Sequence, residues 1–317
     1  MHKMMKTAFV FPGQGSQAVG MGKDLHDLYP VARATFAEAD AALGFSITDL
    51  CFGGPEEELR KTYNTQPAIL TVSVACHRVL AEKGLSPAIV AGHSLGEYSA
   101  LVAAGALGFA DAVRLVRKRG QFMQEAVPLG EGSMAAVLGL ERDEIIAICQ
   151  KTEEVAGPVQ AVNFNCPGQV VIAGAAAAVD AAVEALKQAG AKRAIPLPVS
   201  APFHSTLMKP AAEKLAAELD KITVADAAIP VVANVDGKII TKGDAIKASL
   251  VRQAASPVLW EDCVAAIAAF GSSVFVEVGP GKVLTGFTKK IARDAVTLNV
   301  EDDASLQKTL DYFREVR

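Results

Sequence analysis

Ser94 lies in Gly92-His93-Ser94-Leu95-Gly96, behind the apolar run Ala88-Ile89-Val90-Ala91 and ahead of a stretch from Leu95 to Ala104 with no breaker except Gly96. A serine flanked by glycines two residues away on each side fits a strand-to-helix turn too sharp for side chains at those flanking positions. Such a turn lifts the hydroxyl clear of the sheet and puts the Leu95 amide at a helix N-terminus. There, unpaired N–H groups and the helix dipole favour a developing oxyanion. The chemistry this suits is nucleophilic attack by the serine, with half of an oxyanion hole beside it. The plain alternative is a glycine-rich turn carrying a solvated serine.

A nucleophilic serine needs a base. Pro198-Val199-Ser200-Ala201-Pro202-Phe203-His204-Ser205 is held out of helix by its prolines and presents His204, a candidate general base for a serine distant in sequence. An oxyanion hole needs a second donor. The strand-like Lys6 to Phe11 runs into Pro12-Gly13-Gln14-Gly15, where glycines allow close backbone approach and the Gln14 amide is the candidate. Gly13, Gly15 and Ala18 also imitate a dinucleotide-binding fingerprint. That reading fails because Gly20 and Gly22 interrupt any helix opening there, and Glu38 and Asp40 fall inside a helical pattern instead of at a strand end. Arg114, Arg117, Lys118 and Arg119 crowd one helix that Asp111 would cap, a run that is either a solvated face or a source of charge near the elbow. His77 reads as a packed or surface histidine in a long apolar helix.

The elements that must position these groups follow from periodicity. Helices are expected over Val31 to Leu43, Thr65 to Lys83 with Gly84 as its stop, and Asp111 to Ala126. From Ser133 the rhythm becomes strand (Met134 to Leu138), helix (Glu141 to Lys151), strand (Val159 to Asn163), strand (Gln169 to Gly174), helix (Ala175 to Ala189) and strand (Lys192 to Leu197). This β-α-β-β-α-β order is the split βαβ, ferredoxin-like arrangement, so 130–198 reads as an inserted unit forming one wall of a cleft. Beyond it come a strand over Ile229 to Ala233, helices over Pro210 to Leu219, Asp244 to Gln253 and up to Phe270, and a strand over Ser273 to Val278. Sheet order does not follow from the letters.

With 317 residues, 51% apolar and 6% aromatic, the chain can bury an Ala/Val/Leu-rich α/β interior in two domains. A formal charge of −4 argues against a nucleic-acid binder. The five cysteines are odd in number and widely spread, with no C-x-x-C, so neither a disulfide frame nor a metal site is expected, and the compartment reads as reducing. No apolar run is long enough for a membrane span or a signal sequence. The expectation is a soluble, cytoplasmic protein.

Taken together, F-P-G-Q-G-S-Q at 11–17, G-H-S-L-G-E at 92–97, R-G-Q-F-M-Q at 119–124, N-x-N-x-P-G-Q-V-V-I-A-G at 163–174, A-P-F-H at 201–204, Q-x-x-x-P-V-x-W at 253–260 and E-V-G-P-G at 277–281 resemble the malonyl-CoA:acyl carrier protein transacylase family. The resemblance spans essentially the whole chain in order. It implies an α/β-hydrolase-like catalytic domain over 1–129 and 199–317 with a ferredoxin-like insertion at 130–198. It also implies ping-pong transfer of malonyl from CoA to the phosphopantetheine thiol of acyl carrier protein in fatty-acid synthesis, without metal or redox cofactor. Ser94 then matches the nucleophile and His204 the base, with Leu95 and Gln14 supplying oxyanion amides.

In the same resemblance Arg119 matches the residue that pairs with the malonate carboxylate, and Gln253 holds His204 through its main-chain carbonyl. Phe203 matches a bulky neighbour that excludes a 2-methyl branch, and His93 takes a supporting role. Acyl carrier proteins are acidic, so a basic docking surface is expected, through Lys192-Arg193 and Lys289-Lys290-Arg293. A thioesterase on the same Ser–His pair, an acyltransferase of polyketide assembly or malonate decarboxylation, and a non-catalytic binding module are the competing readings. A thioesterase would admit water and would not need Arg119 in the acyl pocket; a binding module would have no use for elbow, base and buried arginine together.

Overall fold

The computed structural model describes residues 6–199 and 201–316, so within the 198–205 loop Ser200 lies outside the described residues. The strands in chain order are β1 Lys6–Phe11, β2 Ile89–Gly92, β3 Gly132–Leu138, β4 Val159–Cys166, β5 Gln169–Ala175, β6 Arg193–Pro196, β7 Val231–Ala233, β8 Lys238–Ile240, β9 Ser272–Val278 and β10 Val296–Val300. They form two sheets: a six-stranded one ordered β10-β9-β1-β2-β7-β8 and a four-stranded one ordered β4-β5-β3-β6. The larger sheet is parallel except for the β7–β8 hairpin at its edge. The smaller is antiparallel throughout. The fold is α/β.

Strands buried on both faces need apolar side chains in both directions, and β1 and β2 supply them. Phe9, Phe11 and Val90 join the large core under Thr62–Glu82, Leu95–Ala103 and Phe109–Glu125. Ala8, Val10, Ile89 and Ala91 point the other way, toward Trp260–Ala269 and Val283–Ile291. In the smaller sheet the second strand of the β-α-β-β-α-β order lies outermost and the first and third lie adjacent, which is the strand order of the split βαβ. One face of that sheet is covered by Arg142–Ala156 and Ala176–Gln188. Its other face, through Met134, Val162, Val171 and Ala173, meets Met123, Phe203 and Met208 of the larger body. The cleft is built on this second contact.

Two helix ends differ from the sequence expectation. The long apolar helix begins at Thr62, three residues before Thr65, and keeps Pro67 inside it. Proline cannot donate to the carbonyl four residues back, which here is Tyr63 O; Arg117 Nη1 donates to that oxygen instead, at 3.4 Å. Asp111 is not the cap of the next helix. Gly108 holds the N-cap position, and Asp111 sits in the first turn, paired with Arg114 at 2.7 Å.

Candidate active site

β2 runs straight into the elbow. A Cβ on Gly92 would stand 1.9 Å from the Gly96 carbonyl carbon, and one on Gly96 would stand 2.0 Å from Phe11 O, so the turn closes only because both are glycine. Ser94 itself takes φ 50 and ψ −106, a conformation an L-residue adopts only under constraint. The constraint is visible. Asn234, just beyond β7, accepts from Ser94 N at 2.7 Å and donates through Nδ2 to Gly92 O at 2.8 Å. Among the described residues neither the Leu95 nor the Gln14 N–H has a protein acceptor, and both residues line the same cavity as Ser94.

His204 arrives from the far side of the cleft, again in the left-handed region, with φ 64. Its Nδ1 lies 2.8 Å from Gln253 O. A carbonyl can only accept, so Nδ1 carries the proton and Nε2 is left with a bare lone pair. That lone pair accepts from Ser94 Oγ at 2.7 Å. Burial, and then the nearby Arg119 cation, push the imidazole pKa down to about 3, which keeps it neutral. A serine hydroxyl thus faces an unprotonated imidazole whose tautomer is fixed from behind, a dyad that uses a carbonyl where many serine sites use a carboxylate.

Of the four cations on Phe109–Glu125, only Arg119 turns inward. Arg114 pairs with Asp111, Lys118 pairs with Glu218, and Arg117 lies against the Phe45 ring while bonding Asn64. Arg119 is 1% exposed and its guanidinium meets neutral acceptors: Gln66 Oε1 at 2.8 Å, Gln253 Oε1 at 3.0 Å and Ser94 Oγ at 3.1 Å, with the Tyr98 ring alongside. Glu97 acts on it only through space. Burial pushes the Glu97 carboxyl itself up to about 7, although Asn234 N and Gln253 Nε2 both donate to it. A buried guanidinium without a full counter-charge is costly unless a ligand brings one.

These groups surround a cavity of about 110 Å³ lined by Ser94, Leu95, Gln14, His93, Arg119, Phe203 and His204, with Met123 and Met134 on its apolar side. Gln253 sits behind the lining, fully buried, and ties the dyad to Arg119. His93 hydrogen-bonds Asn165 Oδ1 at 2.8 Å and lies against Trp260, which seats the elbow from the side. Glu97 stands inside the G-H-S-L-G-E motif without a role read for it, while two partners, Asn234 and Gln66, escape a reading of motifs. Their signal in the sequence is a polar letter in or beside an apolar run, as in Val231-Val232-Ala233-Asn234 and Ala68-Ile69-Leu70 after Gln66. Among the described residues no cluster of three or more acidic, histidine or cysteine side chains could hold a metal ion, and no helix is long and apolar enough to cross a membrane.

A model of the acyl transferase domain matches residues 8–309. A malonyl CoA-acyl carrier protein transacylase of Escherichia coli (strain K12) is 57% identical over 95% of this chain and 97% of its own length. The chain belongs to the malonyl CoA-acyl carrier protein transacylase family. It is an acyltransferase. Solved members of the family superpose closely: an acyl carrier protein S-malonyltransferase from Vibrio cholerae has a TM-score of 0.94 at 51% identity, covering 96% of this chain and 99% of that one. A malonyl-transacylase in complex with its type II PKS acyl-carrier protein also gives 0.94 at 51% identity, covering 97% and 99%.

Proposed function

We propose that the chain transfers malonyl from malonyl-CoA to the phosphopantetheine thiol of an acyl carrier protein through a malonyl ester on Ser94. The uncompensated Arg119 guanidinium in the acyl cavity carries this reading. A free carboxylate would supply its missing charge through two parallel charge-assisted hydrogen bonds. A neutral acetyl group would leave it unpaired.

In the first half-reaction Ser94 Oγ attacks the thioester carbonyl while its proton passes to His204 Nε2, and the Leu95 and Gln14 N–H groups take the oxyanion. Collapse breaks the C–S bond, and the imidazolium returns the proton to the departing CoA sulfur. The carrier thiol then runs the same steps in reverse. Every bond exchanged is a thioester or an ester, so the chemistry calls on no metal and no redox group. Phe203, on the cavity wall, would crowd a 2-methyl branch, favouring malonyl over methylmalonyl.

The separate cores support a division into a catalytic body, 1–129 with 199–317, and an inserted unit, 130–198. Five free, buried cysteines support a reducing compartment, the cytoplasm. The carrier is read as that of fatty-acid synthesis. A second reading, a polyketide carrier, is favoured by the neighbour solved with a type II PKS acyl-carrier protein. Intact mass after mixing with malonyl-CoA tests the first half-reaction: one malonyl adduct on the parent chain and none on Ser94→Ala is the expected result. Loss of that adduct on adding acyl carrier protein, with malonyl recovered on the carrier and not as free malonate, separates transfer from hydrolysis. Competition between fatty-acid and polyketide carriers decides the second reading.

A further inference from the structure

The base loop is gripped by the smaller sheet at a point no motif marks. Gln160, on β4, accepts from Thr206 N through Oε1 at 2.9 Å and donates from Nε2 to Thr206 Oγ1 at 3.1 Å. Its Nε2 also meets Glu153 Oε1 at 3.1 Å, which orients the amide. Thr206 is two residues past His204, and between them Ser205 closes a tight turn with its hydroxyl on Pro202 O. Both ends of one amide therefore hold the segment that carries the base in its left-handed conformation.

β4 also holds the other half of the dyad's support. Val258 N donates to Val162 O at 2.8 Å, and Phe164 N donates to Val258 O at 2.9 Å, a short parallel bridge that fixes the segment following Gln253. It is Gln253 O that orients the His204 ring. One strand thus sets the loop of the imidazole with residue 160 and the segment of its carbonyl partner with residues 162 and 164, either side of a register shift in that strand.

We infer that Gln160 is a positioning residue for the proposed acyl transfer, holding His204 at hydrogen-bond distance from Ser94. The inference rests on the function proposed above. Gln160 touches neither the acyl cavity nor Ser94, and it borders a separate cavity of about 480 Å³ behind the base, so its removal opens no packed core. An ångström of drift in the imidazole slows proton transfer while leaving malonyl-CoA binding largely intact, since Arg119 and the cavity wall away from the base loop are untouched.

The test uses the full chain with Gln160→Met, which keeps length and loses both hydrogen bonds to Thr206 as well as the one to Glu153, and Thr206→Val, which loses only the hydroxyl arm. Rapid-quench measurement of Ser94 acylation by malonyl-CoA should show a rate at saturation about tenfold lower in Gln160→Met and about threefold lower in Thr206→Val. The half-saturating concentration should stay within about twofold of the parent. Inactivation of Ser94 by a sulfonyl fluoride, which needs the base but no malonyl group, should slow in parallel. Saturated rates within about twofold of the parent in both variants overturn the inference. So does a slowing matched by a rise in half-saturating concentration, or one accounted for by loss of folded protein in thermal unfolding. If the parent chain forms no ester from malonyl-CoA, the proposed function fails, and the sulfonyl fluoride comparison still judges Gln160.

Discussion

At the scale of single residues, the site separates binding from proton transfer. Arg119 supplies charge and His204 supplies a lone pair, and the first bears on the second, because the cation helps hold the imidazole neutral. Arg119→Ala is expected to cost on the order of 2–4 kcal/mol in kcat/KM for malonyl-CoA and far less for acetyl-CoA, read by steady-state transfer with both donors. The pH profile follows from the sign of the shift. A base whose pKa is lowered to about 3 remains unprotonated on acidification, so kcat/KM for acylation should stay flat from pH 8 down to pH 5, where an ordinary histidine would already be mostly protonated. In Arg119→Ala one cause of the depression is gone, and the acid limb should move to higher pH.

The elbow serine, the histidine of the proline-bound loop, the Leu95 and Gln14 amides and the arginine at 119, which the structure brings to one cavity, were all singled out in the sequence. Glycine spacing, prolines and helix breaks are local signals, and the family resemblance singled out, among four cations, the one that turns inward. Asn234 and Gln160 were not legible, because each does its work by reaching across to a segment far away in the chain, and nothing local marks the meeting.

At the scale of elements, strand ends and helix starts are held by buried polar groups. Asn234→Ala should leave Ser94 N without its acceptor and loosen the elbow; a loss of about 1–3 kcal/mol in stability together with slower acylation is expected, read by denaturant unfolding and burst kinetics. Glu277, at the end of β9, accepts from Leu284 N and Thr285 N and so starts the helix Val283–Ile291, giving the E-V-G-P-G motif a structural task.

His77, in the long helix, packs edge-on to Phe9 and Phe11, as expected of a packed histidine, and burial pushes its pKa down to about 4. Its folded-state value lies below the unfolded one, so its neutral form favours the fold above pH 6.5, and that contribution is lost as pH falls through the folded value. Between pH 8 and pH 5 the loss is about 2 kcal/mol. His77→Leu should therefore flatten the acid side of the stability profile by that order, measured as unfolding midpoints across pH. Beyond Gly281 the chain was harder to read. β10 and β8 are short and largely without a buried face of their own, so their places come from pairing with β9 and β7, whereas the final helix Asp303–Glu315 carries a helical stripe at Leu306, Leu310 and Phe313.

At the scale of the whole molecule, the cleft lies between two sheets of different construction. The parallel sheet presents the elbow, while the antiparallel one presents Met134, Asn163 and Leu197 to the same cavity. The β-α-β-β-α-β rhythm was readable because each of its elements is short and bounded by turn residues. The order of the larger sheet was not, because its neighbours β9 and β1 are joined across most of the chain.

A second opening beside the elbow is bordered by Val283 and Phe287 of the helix that carries Lys289 and Lys290, and Lys192 and Arg193 are exposed at the edge of the smaller sheet. An acidic carrier approaching this side would meet positive charge in spite of the net −4. Reversing Lys289 and Lys290 to glutamate should lower kcat/KM for the carrier, and flatten its salt dependence, while leaving acylation by malonyl-CoA intact.

Ser94 and His204 share one further property: both are non-glycine residues held at positive φ. The backbone at each would relax if the side chain were removed, by on the order of 1 kcal/mol after allowing for the looser unfolded chain. Ser94→Gly should therefore unfold later than the parent on heating, whereas in His204→Gly the relief is outweighed by the buried ring's lost packing and the unpaired Gln253 carbonyl. Selection for heat resistance alone would push residue 94 toward glycine and the protein toward silence, and the demand for turnover keeps a hydroxyl where the chain is ill at ease.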